Sequence, residues 1–411
     1  MLRALTAAVA VSLGIGTAQP EPVAAPTPVP RTVLGAFLAD DASYVAAFDP
    51  LTLDVQGRRA RVHGDVSATA RSPDSRTLAV GANELGFTGV ELVDLERMRV
   101  RKRVDLRTPG WVAFLSWERG HVFAVVASDG ETVLLSIDPV GGDVRARHRI
   151  PGTLLHVSRG APQQVVLLFA PSNRIGPLRL AVVGGKGMQT VALDDFVGGW
   201  TTEQEGGQVV TRQSIPALAV DRAGQRAFVV SDHSVAEVSL RDLAVRTHSL
   251  TRSVSLLKRL QNWVEPSAWA KLVDGWDRQG VWVGDGLIAL SGADYSSAEG
   301  EHHAMEPVGM SLVDTRDWTI RKVEDAPADV HVAGDGVLVG AGAYDRGGVF
   351  GHDLETGRRF DLLAGQSVWL QVAGGLVYAS HSDRRFTVLD PATGEVLAEP
   401  TAKYPISLIG G

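Results

Sequence analysis

The sequence predicts an all-β protein that is built from about eight copies of one four-stranded unit. The first observation is a short β-rich run, an Asp, a tight turn and a second β-rich run, a phrase that recurs between Tyr44 and Pro400. The second observation is a further pair of short strands between successive copies. The third is that the phrase occurs near both ends of the chain. Four-stranded units that recur every roughly 40 residues are typical of a β-propeller.

The recurring phrase has six copies with an Asp before the turn and two weaker copies without it. The Asp residues are Asp49, Asp94, Asp138, Asp314, Asp353 and Asp390, and the weaker copies begin at Leu178 and Val235. An Asp at this place can accept a hydrogen bond from the backbone N–H two residues on, which stabilises a tight turn. We therefore expect these carboxylates to build turns rather than to act in catalysis.

The strand pair between the phrases is clearest in the letters VSATARSPDSRTLAVGAN, which begin at Val66. Its apolar residues alternate poorly with polar ones, as expected for sheets that are buried on both faces. With the phrase, the pair completes a unit of four strands, of which the first lies innermost. Innermost strands are predicted near residues 66, 111, 154, 217, 280, 329, 368 and 406. This count gives eight blades, with seven as the alternative if the unit near Leu154 or the weak one at Leu178 is miscounted.

The two ends of the domain are predicted to share one blade. The C-terminal letters ISLIGG, from Ile406, form a first strand with no second strand after it. The letters TVLGAFL, from Thr32 to Leu38, form a second strand with no first strand before it. Joining the two closes the circle and hides sheet edges that would otherwise pair with other chains.

The first 31 residues precede the predicted propeller. Residues 1–18 have the pattern of an export signal, with Arg3, a short apolar run and small residues at Thr17 and Ala18. The alternative is an uncleaved anchor or a buried first helix. Residues 19–31 are rich in Pro and Ala and are expected to form an extended spacer. We expect a secreted or envelope protein with no stable transmembrane segment after signal removal, and residues 32–411 as a single propeller domain.

Charge and cysteine usage exclude two kinds of interaction. The formal net charge is −7 and no block of Lys and Arg occurs, so nucleic acid is not an expected partner. The chain has no Cys, so it forms no disulfide and carries no lipid-modified cysteine. An exported protein of this kind depends on its core and on the closure of its fold for stability.

The letters VLDPATGEV, DLETGRRF and SPDSRTLAVGAN resemble the repeats of bacterial extracytoplasmic propellers of the YVTN and quinoprotein-like kinds. The resemblance covers nearly the whole mature chain and implies a propeller fold, which hosts many functions. Quinoprotein dehydrogenase repeats usually carry a Trp a few residues after the Asp-x-x-Thr-Gly turn, whereas Val396, Leu397 and Ala398 stand here. The adjacent-cysteine disulfide of several quinoprotein alcohol dehydrogenases is impossible without Cys. We therefore predict no quinone and no other cofactor.

Three insertions interrupt the repeat, at residues 195–214, 251–279 and 293–307. The first two join the outermost strand of one blade to the innermost strand of the next, and the third joins a second strand to a third strand. Connections of these two kinds emerge on the same face of a propeller, so we expect the insertions to converge there. The second insertion is predicted to be helical, because Leu256, Leu260 and Trp263 recur at helical spacing. The alternative is that the insertions only cover exposed core.

The candidate partner-binding residues lie in these insertions and in other loops of the same face. They are Trp200, Trp276, Asp294, Tyr295, His302, His303, Tyr344, Arg346 and His381. The tryptophans can stack on a sugar or an aromatic ligand. Glu301, His302, His303 and Glu306 are residue types that bind metals. Adjacent histidines in a strand or loop usually point apart, so no metal site is predicted.

The sequence contains no Gly-x-Ser-x-Gly, no phosphate-binding loop that opens a helix and no His-Glu-x-x-His. We assign no catalytic residue. The prediction is an exported, non-catalytic propeller that binds a protein or a cell-wall glycan through the inserted face. The alternative is an enzyme, namely a lyase, a hydrolase or a quinone-dependent dehydrogenase, with its site at the mouth of the central channel.

Overall fold

The computed structural model describes residues 26–84, 87–161, 164–184, 187–205, 208–252, 275–298, 301–334, 336–342 and 346–410. The described residues form β-strands that are joined mainly by tight turns, and they contain no α-helix. The all-β class predicted from the sequence is therefore confirmed.

The described residues form six separate four-stranded antiparallel sheets. The closing sheet contains β1 (Val33–Ala39), β2 (Ala42–Phe48), β3 (Val55–Val62) and β35 (Ile406–Ile409). The next two contain β4 (Asp65–Arg71), β5 (Thr77–Glu84), β6 (Phe87–Asp94) and β7 (Arg99–Asp105), then β8 (Trp111–Glu118), β9 (His121–Ser128), β10 (Glu131–Ile137) and β11 (Val144–Pro151). A fourth contains β17 (Ala217–Asp221), β18 (Arg226–Val230), β19 (Ser234–Ser239) and β20 (Val245–Ser249). The last two contain β27 (His331–Val332), β28 (Val337–Gly342), β29 (Gly348–Asp353) and β30 (Arg359–Leu362), then β31 (Trp369–Ala373), β32 (Leu376–Ser380), β33 (Phe386–Leu389) and β34 (Val396–Ala398).

The other strands form one eleven-stranded sheet. They are β12 (Thr153–Arg159), β13 (Val165–Ala170), β14 (Gly176–Gly184), β15 (Gly187–Glu205), β16 (Gln208–Ile215), β21 (Thr251–Arg252), β22 (Gly275–Gly284), β23 (Leu287–Ala298), β24 (Glu301–Pro307), β25 (Met310–Asp314) and β26 (Thr319–Glu324). Inside this sheet, β16 joins two antiparallel sets of four, β12-β13-β14-β15 and β22-β23-β25-β26. The separate four-stranded sheets thus number six, which differs from the eight blades predicted. The difference arises because β16 pairs in parallel with β22 and fuses the two sets.

The sheets are arranged as a β-propeller. The first strands of successive sets contact one another: β4 contacts β8, β17 contacts β22, and β31 contacts β35. They therefore lie innermost and surround the central channel. Buried aliphatic side chains fill the space between neighbouring sheets, for example Leu92 of β6 with Leu115 of β8 and Leu135 of β10. Burial of this apolar surface is the main force that holds one sheet against the next.

The two ends of the chain share one sheet, as predicted. β1 pairs with β2 on one side and with β35 on the other, with Leu34 opposite Ile409 and Phe37 opposite Ile406. Phe37 is buried and its ring contacts those of Tyr44, Phe48 and Tyr404. The closure thus combines backbone pairing with an aromatic cluster.

The predicted role of the repeated Asp residues is confirmed. Each of the six carboxylates accepts a hydrogen bond from the backbone N–H two residues on; the donors are Leu51, Glu96, Val140, Arg316, Glu355 and Ala392. The backbone N–H of Thr52 likewise lowers the pKa of Asp49, and that of Arg97 lowers the pKa of Asp94. These carboxylates are turn elements between the third and fourth strands of their sheets.

Two predicted segments outside the repeats have a different outcome. The last residues of the predicted spacer contact the propeller, because the N–H and Oγ1 of Thr27 donate to Asp390 at 3.1 and 2.6 Å. In the predicted helical insertion, residues 253–274 lie outside the described residues, so the helix of Leu256, Leu260 and Trp263 stays a prediction. Its last part, from Gly275 to Gln279, belongs to β22 and is extended, since this segment pairs with β23.

Among the described residues, no helix has the length and apolar character that a membrane span requires.

Candidate functional site

Two long hairpins project from one end of the propeller. Neighbouring strands run in opposite directions, so second-to-third and fourth-to-first connections lie at the same end of the channel. At this end β15 continues beyond Gly198, which is its last residue paired with β14, and β16 returns beside it. At the same end β23 continues beyond Tyr295, which is its last residue paired with β22, and β24 returns beside it. We call this end the hairpin face.

The hairpin β15–β16 is docked on β22. Residues Gln213 to Ile215 of β16 pair in parallel with Gly275 to Asp277 of β22. The insertions at 195–214 and 293–307 therefore belong to one continuous sheet, although the repeat places them in different blades. A sheet of this kind is held by backbone hydrogen bonds and gives its side chains fixed positions, unlike a pair of loops.

Cross-strand pairing puts Trp200 and Tyr295 on the same side of this sheet. Trp200 lies opposite Gln213, Gln213 opposite Gly275, and Gly275 opposite Tyr295. Opposed residues of neighbouring strands point to the same side. Gly275 is required in this row, because a Cβ there would lie 2.6 Å from the carbonyl oxygen of Gln213. The absent side chain lets Gln213 lie directly against the backbone of Gly275.

Below this row lies an acid that two groups hold in place. Tyr295 donates its hydroxyl hydrogen to Oδ2 of Asp277 at 3.0 Å, and the N–H of Ala293 donates to Oδ1 at 3.1 Å. The charge of Asp277 also acts on His156 of the innermost strand β12. The Asp277 carboxylate is thus fixed near the channel.

His156 carries an unused acceptor. Burial lowers the pKa of His156, and a hydrogen bond to the Pro216 carbonyl and the charge of Asp277 only partly oppose this effect. Its Nε2 atom is buried and has no hydrogen-bond partner among the described residues. A neutral imidazole whose other nitrogen donates to a carbonyl has its lone pair on Nε2. His156 can therefore accept a proton or a hydrogen bond from a ligand.

The opposite side of the fused sheet carries a charged network around Trp276. The guanidinium of Arg278 lies 5.1 Å from the ring of Trp276 and donates to Asp294 at 2.8 Å. It also contacts Asp232, in the turn between β18 and β19, at 3.1 Å. Stacking and paired charges fix the guanidinium and with it the indole ring.

Exposed tryptophans stand where innermost strands begin. Trp369 opens β31 and is 59% exposed, and Trp111 opens β8 and is 46% exposed. No strand of the described residues lies further inward, so the exposed surface of an innermost strand faces the channel or its mouth. Both indoles are therefore available to a ligand at the hairpin face.

The other predicted residues differ in their surroundings. His302 and His303 lie on β24 of the second hairpin, whereas Tyr344 lies outside the described residues. Arg346 is exposed in the turn before β29. His381 is buried beside Thr387 at 3.2 Å, and burial lowers its pKa, so this histidine is a turn element rather than an exposed contact.

No group of three or more His, Asp or Glu side chains in the described part of the chain could hold a metal ion.

The site residues predicted from the sequence do not include His156, Asp277, Arg278, Trp111 or Trp369. Two signals were available for the tryptophans, because both stand at the predicted start of an innermost strand and both are large apolar residues. Asp277 and Arg278 are ordinary charged residues in the sequence. Their partners lie on other strands, so only the fold gives them a role.

Comparison with known proteins shows the fold alone. No family model and no curated protein matches the chain. The solved structure of dihydro-heme d1 dehydrogenase NirN in complex with DHE is similar, with a TM-score of 0.55 and 14% identity over 92% of this chain and 75% of that one. Apo AztD from Citrobacter koseri is similar with a TM-score of 0.52 and 14% identity over 92% of this chain and 98% of that one. Each match covers 92% of the chain, so the likeness extends over most of its length.

Proposed function

We propose that this protein is an exported binding protein that holds a glycan on its hairpin face. The observation that carries the proposal is the fusion of two hairpins into one sheet beside the channel mouth. A propeller does not need either hairpin to close its circle. Elaborations on a rigid scaffold are where binding surfaces are usually built.

The side chains at this face favour a glycan over a protein partner. Sugar rings have flat apolar sides edged by hydroxyl groups, and exposed indoles offer flat apolar surfaces for stacking. Trp369 and Trp111 have such exposed surfaces at the mouth. Asp294 and Arg278, beside Trp276, supply an acceptor and donors for hydroxyl groups. A protein interface would call for a broader apolar patch than these separate indoles form.

The proposal includes an extracytoplasmic location and a repeat of the YVTN or quinoprotein-like kind. The signal-like pattern of residues 1–18 and the Asp-containing repeats support these two points. A cell-wall glycan would be accessible to a protein in that location. The proposed binding is non-catalytic.

The test is a titration of the mature protein with soluble peptidoglycan fragments and a panel of neutral oligosaccharides. Trp fluorescence and calorimetry are suitable measurements, since the proposed contacts are indoles. The double variant Trp111→Ala, Trp369→Ala is expected to bind at least about tenfold more weakly, because contact aromatics often contribute more than 1 kcal/mol each. Its melting temperature should stay close to that of the wild type, since both side chains are largely exposed.

The matched control is Val140→Ala. Val140 is 82% exposed and lies in the turn between β10 and β11, at the end of the propeller opposite the hairpin face. This variant should bind like the wild type. The proposal fails if no glycan binds, or if the double variant and the control bind equally well.

One observation favours an enzyme as the second candidate. Asp277 is oriented by Tyr295 and acts on His156, whose buried Nε2 is free to accept a proton. A carboxylate beside a histidine with a free ring nitrogen is an arrangement that a lyase or hydrolase can use for proton transfer. Mass spectrometry of the bound glycan after long incubation separates the two functions. Cleavage that Asp277→Asn abolishes would support the enzyme, and an intact glycan supports the binding protein.

A further inference from the structure

The channel mouth opposite the hairpin face opens into a cavity of about 670 Å³. Its walls are the ends of four consecutive innermost strands: β4 ends at Arg71, β8 at Glu118, β12 at Arg159 and β17 just before Arg222. Residues that lie far apart in the sequence meet here because the propeller closes into a ring. We call this space the arginine cavity.

Four arginines and one glutamate line the arginine cavity. The arginines are Arg71, Arg119, Arg159 and Arg222, and the glutamate is Glu118. The chain as a whole carries a net charge of −7, so this concentration of positive charge runs against the overall composition. Among the described residues, Arg71, Arg159 and Arg222 form no ion pair.

The guanidinium of Arg222 is held against the backbone of Arg159. Nε of Arg222 donates to the carbonyl oxygen of Arg159 at 3.3 Å. Partial burial and the charge of Arg159 both lower the pKa of Arg222. The two like charges repel at a partly buried site, and an anion bound in the cavity would relieve the repulsion.

Further groups in the cavity are ready to contact a ligand. Oε1 of Gln164 is buried and has no partner among the described residues. The indole of Trp117 donates its N–H to the carbonyl of Ala70 at 2.8 Å, which fixes the ring at the cavity wall. The Gln164 acceptor suits a hydroxyl group, the fixed indole suits a carbon skeleton, and the arginines suit negative charge. Together these groups suit an organic anion better than a simple ion.

A second basic cleft in the molecule lacks these features. It has a volume of about 690 Å³ beside β3 and the start of β7, and its lining includes Arg59, Arg97, Arg99 and Lys403. There Arg59 stacks over Tyr44 at 4.2 Å, Arg97 pairs with Asp94 at 3.3 Å and Lys403 lies over the ring of Tyr404. Most of these cations are therefore engaged by the protein itself.

We propose that the arginine cavity binds a small organic molecule with two or more carboxylate or phosphate groups. Guanidinium groups bind both kinds of oxyanion in a bidentate manner. Arginines on several strands around one mouth match a molecule that carries its charges at separate points. The volume lies within the range of about 300–1,000 Å³ that is usual for small-molecule sites.

The test is calorimetry on the mature protein with citrate, pyrophosphate and inorganic phosphate, at ionic strength matched with chloride. Citrate or pyrophosphate is expected to bind with a Kd below about 1 mM and inorganic phosphate at least tenfold more weakly, since each charge-assisted pair adds to affinity. Binding of citrate alone identifies a polycarboxylate ligand, and binding of pyrophosphate alone identifies a phosphorylated one. Absence of binding by both polyanions overturns the proposal.

The variant Arg159→Gln, Arg222→Gln should bind the preferred polyanion at least tenfold more weakly. Without ligand it should melt at the same temperature as the wild type or higher, because two repelling charges are gone. If it does not fold, Arg71→Gln alone provides the same binding test from a different strand. The matched control is Arg58→Gln, Arg99→Gln, which removes two positive charges from the other cleft. Equal weakening in the control would show charge screening without a site and overturn the proposal.

Discussion

Closure of the propeller depends on the aromatic cluster around Phe37, and its removal is a direct test of this role. Phe37 on β1 is buried and stacks on Tyr44 and on Tyr404, the latter two residues before β35. Its ring also meets that of Phe48 edge-on at 5.7 Å. Phe37→Ala removes these contacts while the backbone pairing of β1 with β35 is left intact.

The expected cost follows from burial. Truncation of a buried Phe to Ala costs about 3–5 kcal/mol through lost transfer energy and the cavity left behind. Each lost aromatic pair adds about 0.5–1.5 kcal/mol beyond its buried area, which places the change at the upper end of that range. For a domain of this size the loss corresponds to a fall in melting temperature of about 5 °C if unfolding is cooperative. Differential scanning calorimetry measures both the temperature and the cooperativity.

The neighbouring residue on the same strand supplies the control. Leu38 is 51% exposed, so Leu38→Ala should change the melting temperature by about 1 °C or less, as is usual for surface positions. The role of the aromatic cluster in closure is refuted if Phe37→Ala melts like the wild type. It is also refuted if the two variants lose the same stability, because burial would then not decide the cost.

Three further predictions test other parts of the structure. Thr27→Val removes a hydroxyl donor from buried Asp390 and should lower the free energy of unfolding by about 1–3 kcal/mol. Burial raises the pKa of Asp390, but hydrogen bonds, first among them that of the Thr27 side chain, outweigh burial and leave the pKa lowered. A carboxyl group with a lowered pKa stabilises the fold at pH values above the ordinary carboxyl range, and this stability is lost as the pH falls through the lowered pKa. Thermal melts from pH 7 to 3 should therefore show that the variant loses stability at a higher pH than the wild type. Gly275→Ala places a Cβ against the carbonyl of Gln213 and should detach β16 from β22, which faster amide exchange in residues 213–215 would report. Burial raises the pKa of Glu118 in the arginine cavity, where Arg159 and Arg119 oppose the shift and Arg71 and Arg222 add positive charge. An organic disulfonate, whose own charge does not change in this pH range, should therefore bind more weakly as Glu118 ionises with rising pH. The variant Glu118→Gln should bind the disulfonate more tightly than the wild type, with no such pH dependence.

The features that local residue patterns determine could be predicted from the sequence. The six Asp turns were predictable because a carboxylate and a backbone N–H two residues on need no distant partner. The shared sheet was predictable because the chain has an unpaired first strand at one end and an unpaired second strand at the other. In a closed ring of blades, these two strands complete one sheet by pairing with each other. In both cases the signal is local or follows from closure of the fold.

The fused sheet could not be predicted in this way. The parallel pairing of β16 with β22 uses backbone groups. The sequence from Gln213 to Ile215 contains no pattern that indicates which strand these residues pair with. The sequence suggested loops at 195–214 and 293–307 because these residues exceed the repeat. Extra residues in a repeat indicate that something projects, but they do not show whether it pairs with a neighbour.

The candidate sites were predictable only in part, for the same reason. Trp276, Asp294 and Tyr295 were selected as members of an insertion, and they lie beside Asp277 and Arg278 in the fused sheet. Arg71, Arg159 and Arg222 each look like an ordinary turn residue. They form a cavity only because the ring brings the ends of the innermost strands to one mouth.

The two proposed sites lie at opposite ends of the same strands, which gives a last prediction. β8 begins with Trp111 at the hairpin face and ends with Glu118 at the arginine cavity. Its eight residues span about 24 Å at roughly 3.4 Å per residue, too far for one small ligand to reach both. A glycan and a polyanion should therefore bind at the same time. A glycan titration in saturating citrate or pyrophosphate, whichever binds, should give an unchanged Kd. Competition between the two ligands would mean that they share one site, and the separate assignment of the two mouths would then be wrong.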